Sequence, residues 1–198
     1  MISAINKYNK KYLIFINKTD FTLRVFNRKL ERVASYSIGY GKNPDKKAKM
    51  HVNDDRTPEG EYHITEILSM DVSEESWGYK KLSKMNQVFF KAREGHHKYG
   101  KADVDLGRNA YGSRFFSINY PNEADQHRYN EMIKNGTIKK RNEKIPGIGY
   151  GIGIHGNTDE ASIGFLCSSG CIRMYNNDVI ELDKYIQIGT PVIIVKNE

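Results

Sequence analysis

Cysteine is nearly absent. The 198 residues contain two, Cys167 and Cys171, four positions apart. That excludes the disulfide framework that holds small secreted domains. No apolar run reaches the ~18 residues of a transmembrane helix, so stable membrane insertion is not expected. The opening stretch, Met1-Ile2-Ser3-Ala4-Ile5-Asn6-Lys7, lacks the apolar core of a signal peptide. Either the protein is cytoplasmic or its export signal is missing from this chain. Several catalytic signatures are also missing. No His-Glu-x-x-His, Gly-x-Ser-x-Gly or Ser-x-x-Lys occurs, which removes zincins, nucleophile-elbow hydrolases and penicillin-type serine enzymes. Two glycine strings fail in context. Gly151-x-Gly153-x-x-Gly156 needs a helix directly after it to bind a dinucleotide, but His155-Gly156-Asn157-Thr158-Asp159 reads as a strand end and loop. Gly95 to Gly100-Lys101 resembles a phosphate loop, but Ala102 stands where Ser or Thr must meet magnesium.

Positive charge and tyrosine are plentiful. Lys and Arg number 31 against 24 Asp and Glu, a net charge of +7. That favours a polyanionic partner: nucleic acid, an acidic membrane surface or an anionic cell wall. The basic residues are scattered rather than clustered, so nucleic acid is not expected. The 13 Tyr and 8 Phe favour strands. Tyr12 to Ile16 reads as a buried strand. Phe21, Leu23 and Val25 alternate with Thr22 and Arg24 as a half-buried one. Strands follow at Val33–Ile38, Glu61–Leu68, Arg114–Tyr120 and Val192–Val195. Short spacing with turns between predicts an antiparallel, mostly β domain. Asn122 reads as the N-cap of a helix that carries Tyr129, Met132 and Ile133 on one face and stops at Asn135-Gly136. Asn176-Asn177-Asp178 reads as the cap of a second helix, with Val179, Leu182 and Ile186 on its apolar face. Residues 69–112 read as a long excursion or lid.

The chain is organised around Gly147 to Met174. From Gly147 to Ile154, glycine alternates with Ile148, Tyr150, Ile152 and Ile154. As a strand, this stretch has one apolar face to pack on a core and one face cleared of side chains until His155. Cys171 follows Ser168-Ser169-Gly170, a small-residue turn whose amides can converge on an anion. Cys and His form a recurrent nucleophile and base pair, and amides near the thiol can stabilise an oxyanion. The alternatives are a buried inert thiol at Cys171, a Cys167–Cys171 disulfide that consumes the nucleophile, and a zinc site. Zinc lacks the usual pairs of ligands, and no metal or cofactor is expected. Cys167 reads as a buried thiol.

The residues Ile154-His155-Gly156-Asn157, Ala161-Ser162-Ile163-Gly164 and Ser168-Ser169-Gly170-Cys171-Ile172-Arg173-Met174, then Asn177-Asp178 and Gly189-Thr190-Pro191-Val192, resemble the signature of bacterial L,D-transpeptidase catalytic domains. Thr57-Pro58-Glu59-Gly60-Glu61-Tyr62 and Tyr120-Pro121-Asn122-Glu123-Ala124-Asp125 are similar to further segments of that family. One departure is Ser169, where many members carry His. The resemblance implies a two-sheet β-sandwich with peripheral helices, a single catalytic domain over residues 11–196 with residues 69–112 inserted, and an extension at residues 1–10. It implies that Cys171 attacks the third-residue carbonyl of a peptidoglycan tetrapeptide stem and releases D-alanine. His155 would be the base, and the Gly156 carbonyl would orient it. Amides of Ser169, Gly170 and Cys171 would hold the oxyanion, Arg173 would bind a carboxylate or brace the loop, and Ser168 and Tyr150 would shape the substrate site. The acyl group then passes to an amine, as a 3–3 cross-link or protein anchor. Transfer to water, as in an L,D-carboxypeptidase, and a non-catalytic wall-binding module are the alternatives. The implied location is the periplasm or cell wall, and a monomer sensitive to carbapenems is expected.

Overall fold

Alternating apolar residues pair the N-terminal third of the chain into strands. The computed structural model describes residues 9–196, so the extension expected at residues 1–10 lies almost wholly outside the described residues. β1 (Tyr12–Asn17) and β2 (Thr22–Asn27) form an antiparallel hairpin, and β3 (Arg32–Ser37) adds to β2. After the short β4 (Tyr40–Gly41) come β5 (Gly60–Ser69), β6 (His97–Lys98), β7 (Lys101–Asp105) and β8 (Arg114–Ile118). The chain finishes with β9 (Gly153–His155), β10 (Leu166–Ser168), β11 (Ile172–Arg173) and β12 (Pro191–Val195).

Eight of these strands form one sheet in the order β11-β9-β8-β5-β12-β1-β2-β3. Pairing is antiparallel except where a long connection delivers a strand. β12 runs parallel to β1, β11 to β9 and β10 to β4. The two edges of the sheet meet. Gly39, just past β3, donates to Arg173 O at 2.9 Å and accepts from Arg173 N–H at 2.8 Å. Those bonds satisfy backbone groups that an open edge would leave unpaired. The sheet therefore curls on itself, and its inner face makes one core in which Tyr36 and Ile38 from one end pack with Ile172 and Met174 from the other. This is the mostly β domain that the strand spacing predicted, in the sandwich form that the resemblance implied.

Among the described residues, three α-helices lie on the periphery. α1 (Trp77–Asn86) is capped by Ser76, whose Oγ accepts from Tyr79 N–H. α2 (Glu123–Lys134) begins with the expected Asn122 cap, completed as a capping box by Asp125. α3 (Asn176–Asp183) starts one residue after Tyr175 and has no side-chain cap. The expected asparagine cap is absent because Asn176 turns its amide outward from the helix, accepting from Asn157 N–H and donating to Asn157 O and Glu160. Residues 69–112 hold α1 and the β6–β7 hairpin.

The glycine-alternating segment is not one strand. Gly149 and Gly151 sit at φ +88° and +78°, in the left-handed region that strands do not use. Only Gly153–His155 is extended and paired. Ile152 and Ile154 enter the core as predicted, but Tyr150 is 88% exposed at the rim of a cleft.

Candidate active site

β9 and β11 run side by side, with Ile154 opposite Ile172 and His155 opposite Arg173. Alternation puts Gly153, His155, Cys171 and Arg173 on one face, away from the core that buries Ile154 and Ile172. Gly153 has no side chain because Phe115 occupies its space. A Cβ there would lie 2.5 Å from Phe115 Cε1 and Cζ. The Phe115 ring in turn stacks on His155, 5.3 Å between centroids at 11°, and Tyr111 meets the imidazole edge-on at 5.1 Å. The same outer cluster contains Leu68, Leu82 of α1 and the side chain of Cys171. The excursion thus supports the thiol's face through α1.

His155 is 2% exposed. Its Nδ1 is bonded to the Gly156 carbonyl. A carbonyl only accepts, so Nδ1 carries the proton and Nε2 is the basic nitrogen. Burial, followed by the Arg173 charge, pushes the imidazole pKa down to about 3. Cys171 Sγ lies 3.5 Å from Gly151 O. Burial raises the thiol pKa, while the Gly153 N–H, Arg173 and Lys49 act to lower it. The resting pair is therefore neutral thiol and neutral imidazole, with proton transfer left for the moment of attack.

The turn before Cys171 is held from both sides. Ser168 Oγ donates to Cys171 O at 2.6 Å and accepts the Gly170 N–H at 3.1 Å. Thr57 Oγ1 donates to Gly170 O at 2.8 Å and accepts the Gly41 N–H at 2.9 Å. Gly170 has φ +143°, and a Cβ there would stand 2.8 Å from Ile152 Cδ1 and 2.9 Å from Arg56 O. Because the Gly170 N–H is bound to Ser168, it is not available in this conformation for the oxyanion. Of the three amides expected there, those of Ser169 and Cys171 are not engaged in this way. Gly156 is fixed by packing as well, since a Cβ would fall 2.3 Å from Asn176 Oδ1.

The cleft over this face has a volume of about 240 Å³. Of the residues singled out from sequence, Cys171, His155, Ser168, Ser169, Arg173 and Tyr150 all line it. Gly170 lies in its wall, and Gly156 stands behind the imidazole. Ser169 is exposed, and Arg173 is 8% exposed. The structure adds Tyr111, Phe115, Thr57, Lys49 and His96, for which sequence gave no chemical signal. Thr57 stood in a segment noted only for its similarity to the family, with no role given to its hydroxyl, and His96 lies in the excursion. Both cysteines are free thiols, and among the described residues no group of three His, Cys, Asp or Glu is placed to hold a metal.

Residues 11–194 match the YkuD family, described as the L,D-transpeptidase catalytic domain. Over 42 residues the chain is 57% identical to YkuD of Bacillus subtilis, which bears an L,D-transpeptidase name, and 50% identical to YqjB of the same organism. Those stretches cover 26% and 24% of the two relatives. Among solved structures, Bdellovibrio bacteriovorus Bd1075 shares the fold with a TM-score of 0.55 and 23% identity, over 95% of this chain and 49% of that one. An L,D-transpeptidase from Mycobacterium smegmatis aligns at TM-score 0.50 and 13% identity, over 93% of this chain and 58% of that one. The chain thus spans about half the length of these solved relatives. It belongs to the L,D-transpeptidase catalytic-domain family.

Proposed function

We propose that the protein is a cysteine-dependent peptidoglycan L,D-transpeptidase, with residues 11–196 as a single catalytic domain and residues 69–112 as an insertion over its cleft. The observation that carries this reading is the shared strand face of Cys171 and His155, with the imidazole tautomer fixed by Gly156 O. His155 Nε2 takes the Cys171 proton as sulfur attacks the carbonyl carbon of the third stem residue. The resulting oxyanion is met by the amides of Ser169 and Cys171. The imidazolium returns its proton to the leaving nitrogen, D-alanine departs, and a thioester remains on Cys171. An amine of a second stem then attacks the thioester, His155 accepts its proton, and the new amide leaves as the thiol reforms. One amide is exchanged for another, so the reaction needs no external energy source or cofactor. The apolar side chains of Phe90, Leu106 and Tyr111 in the cleft lining support amine transfer over hydrolysis by limiting water at the thioester.

Peptidoglycan lies outside the cytoplasm, and the working location follows from that substrate. No helix among the described residues is long and apolar enough to cross a membrane. Turnover of a defined disaccharide-tetrapeptide, followed by product mass, tests the proposal. The expected products are free D-alanine and a cross-linked dimer, both lost in Cys171→Ala. Tripeptide alone would replace transfer by trimming, and absence of D-alanine release would overturn the proposal.

A further inference from the structure

One cation lies against the glycines that flank the thiol. Lys49, from the connection between β4 and β5, lines the cleft together with Cys171. Its Cε is 3.5 Å from where a Cβ on Gly149 would stand, and its Nζ is 3.8 Å from the corresponding position on Gly170. The side chain therefore crosses the Gly149 backbone and delivers its ammonium to the turn that precedes Cys171. Its backbone is tied to the same turn. Lys49 N–H donates to Thr57 O at 3.3 Å, and Thr57 Oγ1 donates to Gly170 O at 2.8 Å.

Asp54 holds this ammonium at 2.8 Å, and the two side chains are only 4% and 3% exposed. A buried ion pair adds little net stability over apolar residues of the same size, so stability does not account for one in a cleft wall. Asp54 is also balanced from behind. Its Oδ2 accepts Met50 N–H at 2.6 Å and His51 N–H at 3.1 Å, and its Oδ1 accepts Arg56 N–H at 3.1 Å. Burial opposes the Asp54 charge, but the bonds from Lys49, Met50 and His51 outweigh it and keep the carboxyl below its usual range. The carboxylate thus leans on backbone dipoles as well as on Lys49, and the ammonium's field reaches into the cleft. The other titratable or charged groups around Cys171 are His155 from β9, Arg173 from β11, and Tyr111 and His96 from the excursion. Burial and the nearby thiol push the Tyr111 phenol up to about 12, and burial with the Arg173 charge pushes His155 down to about 3, so both are neutral at pH 7. Burial, Lys42 and Arg173 hold His96 below its usual range. The cations that oppose burial at the thiol are Arg173 and Lys49. They stand at different places. Arg173 follows Cys171 on β11, whereas Lys49 sits at Gly170, whose amide is bonded to Ser168.

We propose that Lys49, aimed by Asp54, is an electrostatic residue of the reaction, whose ammonium stabilises negative charge on the Cys171 sulfur as its proton leaves and on the substrate carbonyl oxygen as it is attacked. The inference rests on the reading given under Proposed function. Lys49 exchanges no proton in this role, and His155 remains the base. The ammonium stands on the side of the turn from which the Gly170 amide has been withdrawn. A charge fixed in advance in a water-poor cleft stabilises a developing anion without reorganising. Lys49 and Asp54 lie more than a hundred residues before the Cys–His segment, and only the fold brings them to it.

The thiol is read first, without substrate. In the Cys167→Ala protein, the rate of Cys171 alkylation by iodoacetamide across pH gives the titration of the thiol. Lys49→Met should move that titration up by about one pH unit, the scale of a neighbouring opposite charge, and Lys49→Arg should restore most of it. Acylation by a carbapenem at neutral pH should fall about 100-fold in Lys49→Met, the scale of one oxyanion donor, and recover in part in Lys49→Arg. A lysine that only props the turn would slow acylation without moving the titration. The double variant Lys49→Met, Asp54→Asn leaves no buried carboxylate without its cation. It serves where the single variant fails to fold, and the same upward shift is expected in it. An unmoved titration in whichever of these variants folds, acylation at the wild-type rate without Lys49, or Lys49→Arg no better than Lys49→Met would each overturn the proposal. A titration that moves as expected while the wild type releases no D-alanine from a tetrapeptide would instead refute the transpeptidase reading and leave the charge at Cys171 standing.

Discussion

Replacing Gly153 by alanine tests the packing that aims the base. The new Cβ would sit 2.5 Å from two Phe115 ring atoms and 2.9 Å from Phe116 O. Neither neighbour can yield cheaply, since Phe115 is buried and Phe116 O belongs to the β8–β9 ladder. Overpacking of this kind costs about 1–3 kcal/mol of stability. The effect on chemistry should be larger. Phe115 stacks on His155 at 5.3 Å, so a ring forced aside carries the imidazole with it. A shift of about 1 Å in a catalytic group can lower the rate about 100-fold. Acylation by a carbapenem, followed by intact mass over time, reads the rate, and thermal unfolding reads the stability. The double variant Gly153→Ala, Phe115→Leu removes the colliding ring atoms and should recover part of the acylation rate, even though it also loses ring packing. Wild-type acylation in Gly153→Ala, or no recovery in the double variant when its stability is restored, would refute this coupling.

The remaining expectations concern protons and the loop behind the thiol. Because the His155 pKa is pushed down to about 3 and the Cys171 thiol up, the rate of acylation should be flat from well below the ordinary histidine range to the alkaline limb. A profile with an acid limb near pH 6.5 would contradict a neutral resting imidazole. The sign for stability is the same. The unfolded chain binds a proton at His155 that the folded chain refuses, so this contribution is complete above about pH 6.5 and is lost as pH falls toward the folded value. Urea titration across that window checks it. Thr57→Val leaves the Gly41 N–H and Gly170 O without their bonds at 2.9 and 2.8 Å. Each orphaned group costs about 1–3 kcal/mol, and acylation should slow as the Gly170 turn loosens. Glu59→Gln removes the carboxylate bonded to Lys18 at 2.6 Å and leaves that fully buried ammonium only the carbonyls of Lys47 and Thr57. A loss of about 3–5 kcal/mol is expected at neutral pH. It should shrink toward pH 10 as buried Lys18 gives up its proton, measured by denaturant titration at both pH values.

Much of the β framework was legible because its signals are local. The β1–β2 hairpin follows from two apolar runs around a turn, and α2 from a cap and its reciprocal acid, Asn122 and Asp125. The His155–Cys171 pair was also legible, because both residues lie in one segment whose strands prove to be neighbours. Sequence failed where a residue's role depends on distant partners. Alternation from Gly147 to Ile154 imitates a strand, but positive φ at Gly149 and Gly151 breaks it, and a pattern of residue types does not encode φ. α1 packs Leu82 and Met85 on one face but leaves Trp77 exposed, so its apolar signal is two residues long and sits among polar neighbours. Gly170 was expected to lend its amide to an oxyanion. Its N–H instead closes the turn on Ser168, and only coordinates reveal that competition. The burial of Lys18 and the approach of His96 to Arg173 are likewise contacts across long stretches of chain.

The central claim is that Cys171, activated by His155, carries the acyl group. The direct measurement is peptide mapping of the protein trapped with a tetrapeptide donor or a carbapenem. A single thioester adduct on the peptide containing Cys171, retained in Cys167→Ala, absent in Cys171→Ala and formed far more slowly in His155→Ala, is the predicted result. An adduct that survives Cys171→Ala, or one that forms at an unchanged rate without the imidazole, would contradict it.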